Sequence, residues 1–191
     1  MSLLDIAQVG HPILRQPARE LSIEEIKSLE IQNFIDNLIE TMRHANGAGL
    51  AATQVYNPIA ICALEVNNNP RYPYKPKLPL TILINPVLTP LSKETFSNYE
   101  GCLSVPNLRG RVHRHTEIRV QALDRQGQPL DFEVRGLTAG TYQHEVDHLL
   151  GRLFLDGVTD TTTLSTWNEY ETHHQDLFRS EAIALVSKWG A

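Results

Sequence analysis

The feature that most constrains this chain is His144-Glu145-Val146-Asp147-His148, an H-E-x-x-H sequence inside a stretch that reads as helix from about residue 138 to residue 150. Positions i and i+4 share one helix face, so the two imidazoles can hold one metal ion. Glu145, next to the first ligand, is then placed as a general base toward water activated by the cation. The plainer account is a helix with two surface histidines.

A catalytic site of this type takes a third protein ligand and leaves the fourth position open, so the third ligand decides the class of chemistry. A metzincin needs H-E-x-x-H-x-x-G-x-x-H; Gly151 matches, but Phe154 stands at the last position and cannot bind a metal. A thermolysin-like protease takes a carboxylate roughly 20 residues downstream, and Glu169 and Glu171 in Trp-Asn-Glu-Tyr-Glu keep that alternative open. The better candidate lies upstream, in Glu100-Gly101-Cys102-Leu103-Ser104, where a thiolate would complete a His2Cys set. A lone cysteine in a reduced protein is ordinarily a small buried hydrophobe, and Cys62, within an apolar run, takes that reading. Cys102 differs, being bracketed by Gly101 and Ser104 and preceded by an acid. Upstream again, Gly47-Ala-Gly-Leu-Ala-Ala-Thr-Gln54 combines glycines that allow close backbone approach with a glutamine amide able to donate to a developing oxyanion, although it could equally be a helix-ending turn. It is no phosphate-binding loop, because the G-x-x-x-x-G-K-[ST] pattern is absent.

The rest of the chain sets the frame. Its 191 residues suit one domain over the whole length. With 17 Lys and Arg against 22 Asp and Glu, the charge balance argues against a nucleic-acid footprint or an anionic membrane surface. No segment approaches a membrane span, and the acids at Asp5, Glu20, Glu24 and Glu25 do not suit a transit peptide. Two cysteines make no disulfide framework, so a reducing cytoplasm is the expected compartment. Ser22-Ile-Glu-Glu25 has the form of a capping box and should open the first helical region. Ile31, Phe34, Ile35, Leu38, Ile39 and Met42 then fall on one helical face, with an end near Asn46-Gly47. Runs at 59–66 and 81–85 read as buried strands, and residues 67–79, with Pro70, Pro73, Pro76 and Pro79, read as a loop. Alternation over 117–122 and 130–135, with a turn at Arg125-Gln-Gly-Gln-Pro129, predicts a hairpin. Helix is expected again from about 163 to 187. Strands not regularly interleaved with helices indicate an α+β fold.

Taken together, Gly-Ala-Gly-Leu-Ala-Ala-Thr-Gln (47–54), Glu-Gly-Cys-Leu-Ser (100–104) and Gln-His-Glu-Val-Asp-His (143–148) resemble, in the same order, the three signature motifs of the peptide deformylases. The likeness extends from about Val9-Gly10-His11-Pro12 to Asp156, and the longer C-terminal segment resembles family members that end in a helix. The resemblance implies short, mostly antiparallel sheets around a central H-E-x-x-H helix, with an N-terminal and a C-terminal helix. It implies Cys102, His144 and His148 as metal ligands, Glu145 as the acid/base residue, and Gln54 with the Leu103 backbone N–H as donors to the carbonyl oxygen. Fe(II) is the implied resident ion, with Zn(II), Ni(II) or Co(II) able to replace it. The implied substrate is the N-formylmethionyl end of nascent peptides, with transient ribosome contact. Arg109 matches a position near the mouth that receives the peptide, beside the plainer reading of an exposed, solvated arginine. Glu100 is expected to order the Gln54 region. Ala48, Gly49 and Gly140 are expected at the substrate, and because relatives often carry larger apolar residues at 48 and 140, a wider or more mobile methionine pocket is expected here.

Overall fold

A computed structural model of the protein describes residues 2–69 and 72–190. Its elements follow from local chemistry. Ser22 and Glu25 form the expected capping box: Ser22 Oγ accepts from the Glu25 amide at 3.2 Å and Glu25 Oε2 from the Ser22 amide at 2.8 Å. The helix so opened is short. After α1 (Ile23–Lys27) the chain turns extended at Ser28, whose hydroxyl accepts from the Ile31 amide and caps a second helix, α2 (Leu29–His44). The predicted helical region is thus two helices, because a serine can end one and start the next. The apolar stripe of α2 buries Ile31, Ile35, Leu38, Ile39 and Met42, and each fully buried aliphatic side chain contributes about 1.5–3 kcal/mol.

These side chains pack on a five-stranded antiparallel sheet in the order β1-β2-β3-β6-β7. Its strands are β1 (Gly49–Ala51), β2 (Ile61–Val66), β3 (Leu78–Pro90), β6 (Glu117–Leu123) and β7 (Pro129–Arg135). The expected hairpin is present, with Leu123 opposite Pro129 and the Asp124 carboxylate accepting from the Gln126 and Gln128 amides. Strand β3 runs well past the predicted 81–85. It pairs with β2 as far as Ile84 and with β6 from Ile84 to Pro90, and Pro86 falls at the register shift between Ile84 and Val87 within the β3–β6 ladder, where proline is tolerated. Residues 67–69 and 72–77 lie outside the strands, in keeping with the predicted loop; Pro70 lies outside the described residues.

More than one sheet was expected, but the strands of the second were not read from the sequence. Strands β4 (Thr95–Cys102) and β5 (Val105–His115) form a two-stranded antiparallel hairpin with Leu103-Ser104 at its tip. Its sequence lacks apolar alternation because the hairpin buries polar side chains, Asn98, Glu100, Arg109 and Arg114. Helix α3 (Gly136–Leu149) runs between the two sheets, packing against β1, β2, β3 and β7 and also against β4 and β5. Ala139, Tyr142 and Leu149 join Leu64, Leu83 and Val120 in one apolar cluster. At the C-terminal end the expected helix is again two, α4 (Trp167–His173) and α5 (Gln175–Trp189), broken at His174. No helix among the described residues is long and apolar enough to cross a membrane.

Helix α3 ends where the sequence predicts, at Gly151, which has φ +73° and donates to His148 O. A Cβ at this position would lie 2.7 Å from the Arg15 carbonyl oxygen. Gly151→Ala is therefore expected to lower stability by more than about 1 kcal/mol, read from the urea midpoint; an unchanged midpoint would show that this turn tolerates a side chain.

Candidate metal centre

The helical repeat of α3 brings His144 and His148 to one face, ring centroids 5.0 Å apart. Cys102 reaches them from the end of β4, where the ladder shifts register just before the hairpin tip. One ligand atom from each of Cys102, His144 and His148 lies within 4.8 Å of the others, and Cys102 Sγ is 3.3 Å from His148 Nε2. Three donors this close, sulfur with two ring nitrogens, fit a divalent ion of borderline softness. Burial by itself pushes the Cys102 thiol up, yet His148 and His144 beside it hold it well below the ordinary range, favouring thiolate. Cys62, buried in β2, has its thiol pushed well up by burial. Glu169 and Glu171 do not join the cluster: both are exposed on α4, and Glu169 pairs with His173.

The Gly47–Gln54 motif is neither helix nor simple turn. It supplies β1 and a 3-10 turn, Ala52–Val55, which buries Gln54. The Gln54 oxygen accepts from the Ala51 amide at 2.9 Å, fixing the side-chain amide so that Nε2 donates to Ser104 Oγ at 3.0 Å and approaches Cys102 Sγ at 3.4 Å. Gly49 passes against the carboxyl of Glu145, where a Cβ would lie 2.3 Å from Glu145 Cδ. The glycine is thus required by close approach, not by backbone conformation. Glu145 is buried, and among the described residues its Oε2 has no hydrogen-bond partner. Burial pushes its carboxyl up, opposed by His144, His148 and Lys75.

Glu100 is placed otherwise than expected. It makes no contact that orders Gln54; its carboxylate meets His144 Nδ1 at 2.8 Å and accepts from Arg114 through Nε at 2.8 Å and Nη2 at 2.9 Å. Asn98 Nδ2 adds a fourth contact at 3.0 Å, and Arg114 also pairs with Asp147. Burial raises the Glu100 carboxyl, but Arg114 and His144 outweigh it and keep the group well below its usual range. A carboxylate on the far nitrogen fixes the tautomer and ring orientation of a ligand histidine. Sequence reasoning missed Arg114 and Asp147. The signal was available in part, since the second x of H-E-x-x-H is an acid.

Arg109 also departs from expectation. It does not line the cleft at the metal cluster and is not exposed: the residue is 1 % accessible, its guanidinium carbon is 4.1 Å from the Tyr170 ring centroid and 4.6 Å from that of Trp167, and Nη2 donates to Tyr99 O at 2.8 Å. Its backbone pairs with Ser165, so the C-terminal segment is strapped over it. The cleft that opens onto Cys102, His144 and Glu145 is lined by Ala48, Gly49, Gln54, Glu100, Leu103 and Gly140 among the sequence-predicted residues. It also takes in Tyr72 and Lys75, from the proline-rich loop that had no functional account, with Asn98 and Thr141. Gly140 does not widen the cleft as expected, because the Phe96 ring lies 3.0 Å from where its Cβ would be.

Comparison with known proteins agrees with this geometry. The family model for polypeptide deformylase matches residues 3–163. Peptide deformylase 1 of Nitrosomonas europaea is 40% identical over 155 residues, covering 81% of this chain and 87% of the relative. Peptide deformylase 2 of Nostoc sp. is 41% identical over 169 residues, covering 88% and 93%. Among solved structures, the Met-Ala-Ser-bound class I type b peptide deformylase from Acinetobacter baumannii superposes with a TM-score of 0.79 at 36% identity, covering 82% of this chain and 99% of that one. The peptide deformylase from Synechococcus elongatus in complex with actinonin covers 94% of this chain and 89% of its own, with a TM-score of 0.74 at 31% identity. The ordered motifs, the Cys-His-His cluster they form, and these likenesses lead to one conclusion: the chain belongs to the polypeptide deformylase family.

Proposed function

We propose that this protein removes the formyl group from the N-terminal formylmethionine of nascent peptides, by hydrolysis that depends on a metal ion held by Cys102, His144 and His148. The observation that carries the reading is a buried carboxylate oxygen, Glu145 Oε2, lacking a partner among the described residues beside three converging ligand atoms. When bound, the cation supplies Lewis acidity, polarising a carbonyl and lowering the pKa of water it holds. The family resemblance supports Fe(II) as resident ion with Zn(II), Ni(II) or Co(II) as substitutes, whereas the donor set alone suits zinc equally. Met-Ala-Ser binding in the Acinetobacter baumannii relative supports a peptide substrate.

The chain's own residues then divide the work. Glu145 takes a proton from the attacking water, whose oxygen bonds to the formyl carbon, and passes that proton to the departing nitrogen as the carbon–nitrogen bond breaks. Formate and a free N-terminus result. Burial suits Glu145 to this, since a carboxyl pushed up is the better proton carrier near neutral pH. Gln54 Nε2 and the Leu103 N–H donate to the oxygen on which charge develops, and Gln54 is held ready by Ala51. Glu100 keeps His144 turned toward the ion. Arg109 stabilises the wall of the cleft from behind, through its aromatic cage, in place of contact with the peptide. The protein acts in the cytoplasm, with transient contact at the ribosome, where the substrate emerges. The thermolysin-like alternative has no support in the position of Glu169 or Glu171.

Four variants test the assignment. Cys102→Ser should lose or alter bound metal, measured by elemental analysis after anaerobic purification, while Glu169→Ala retains it; the reverse pattern would remove Cys102 from the ligand set. Glu145→Gln should keep its metal and release formate from formyl-Met-Ala-Ser about 10²–10⁴-fold more slowly. Gly49→Ala should resemble it, metal retained and kcat depressed, because a Cβ there displaces the same carboxyl; normal turnover in Gly49→Ala would show that Glu145 need not occupy this position.

A further inference from the structure

The edges of a sheet are where a fold leaves backbone hydrogen bonds unmade. One edge of the five-stranded sheet is β1, three residues long and built into the cleft through Gly49. The other is β7, seven residues long, which pairs with β6 along its length without a bulge and has no strand on its far side among the described residues. The two ends of that ladder show where each β7 backbone group points. Asp124 N–H donates to Gln128 O and Gly136 N–H to Thr116 O, so by alternation Leu130, Phe132 and Val134 turn their N–H and C=O groups toward β6. Asp131, Glu133 and Arg135 turn theirs outward. The usual protections of an edge are missing: β7 has no lysine, no bulge and no core-facing charge, and its one proline is its first residue. On the core-facing side Leu130, Phe132 and Val134 are only partly buried against the apolar cluster that Tyr142 joins.

We propose that a second copy of this chain adds to this edge, β7 against β7 in antiparallel, joining the two sheets into one across a two-fold axis. Such a pair must set outward-facing residues opposite outward-facing residues, which leaves few registers, and charge decides among them. With Glu133 on the axis, Asp131 faces Arg135 of the second copy at both ends of the junction, Phe132 faces Val134, and all three outward residues exchange backbone hydrogen bonds. With Phe132 on the axis, Asp131 would face Glu133 twice and Pro129, which has no N–H, would enter the ladder. With Val134 on the axis, Asp131 would face Leu137, which already belongs to α3. Strand β6 completes the first arrangement. Glu117 lies across from Arg135 and Arg119 across from Glu133, so the two glutamates at the axis are each flanked by an arginine. The side chains are also held in place: Arg135 pairs with Glu117 at 2.9 Å and Arg119 with Asp131 at 2.6 Å, while Asp131, Glu133 and Arg135 keep about half their surface in water. Because the cleft lies at the β1 edge, pairing at β7 leaves both clefts open.

Sedimentation equilibrium of the full-length, metal-loaded protein should show monomer and dimer exchanging with concentration. Asp131→Arg and Arg135→Asp each place like charges across the junction twice, and each should raise the dissociation constant at least about tenfold. The double variant restores opposite charges with their signs exchanged and should return the constant close to the wild-type value. A merely local disturbance of β7 would add in the double variant, not cancel. Glu133→Gln removes the one like-charge pair and should tighten the dimer. Amide hydrogen exchange needs no substitution: protection at Asp131, Glu133 and Arg135 should rise with protein concentration, while Phe132 and Val134, bonded to β6 within one chain, stay protected throughout. A wild-type protein that remains monomeric at every concentration, with the amides of Asp131, Glu133 and Arg135 unprotected, would overturn the inference. A dimer indifferent to both charge reversals would overturn it equally, since another surface would then hold the two copies.

Discussion

A carboxylate almost without access to water, that of Glu100, ties the β4–β5 hairpin to helix α3, and the rest of the metal centre depends on it. One oxygen meets the far nitrogen of His144 while both receive Arg114, which also reaches Asp147 on α3. A buried ion pair of this kind adds little to stability when compared with apolar packing, but removing one partner leaves an uncompensated charge that costs about 3–5 kcal/mol. Its consequence is geometric. The strand that carries Cys102 and the helix that carries both histidines cannot slide past one another without breaking the same network.

Close approach governs the second half of the site. Strand β1 is three residues long, and it can lie against α3 at Glu145 because Gly49 presents no side chain there. The turn that follows buries Gln54 with its oxygen satisfied by Ala51, leaving its nitrogen aimed at the hairpin tip. The first motif therefore meets the third at one carboxyl and the second at one sulfur. Farther out, the cage of Tyr170, Trp167, Tyr99 and Tyr72 around Arg109 joins the C-terminal helices and the proline-rich loop to the back of the same hairpin. A guanidinium is suited to this burial because its planar, weakly hydrated faces stack on rings.

Much of the architecture was legible locally. The capping box at Ser22, the apolar stripe of α2, the alternation of β6 and β7 and the stop at Gly151 each rest on interactions within a few residues, and each was found where expected. The β4–β5 hairpin was not legible, since its inward side chains include Asn98, Glu100, Arg109 and Arg114, which read as solvent-facing until their partners are known. Ser28 and His174 each split a helix that a periodicity argument runs through, because apolar spacing continues across a one-residue break. The proline-rich loop gave no periodic signal at all, and its place beside the metal cluster is decided by where Lys75 and Tyr72 find their partners.

What the sequence determined by itself was the chemistry: two imidazoles at helical spacing with an acid between them, and motifs whose order matches one family. Spacing along a helix is a local property, so His144, Glu145 and His148 could be assigned one face before any fold was known. Only the tertiary structure decided that Cys102 stands with them, that Glu100 serves His144 and not Gln54, that Arg109 is caged behind the cleft, and that Lys75 faces into it. The physical reason is that each of these depends on a partner 40 or more residues away in the chain, supplied by packing that local patterns do not encode.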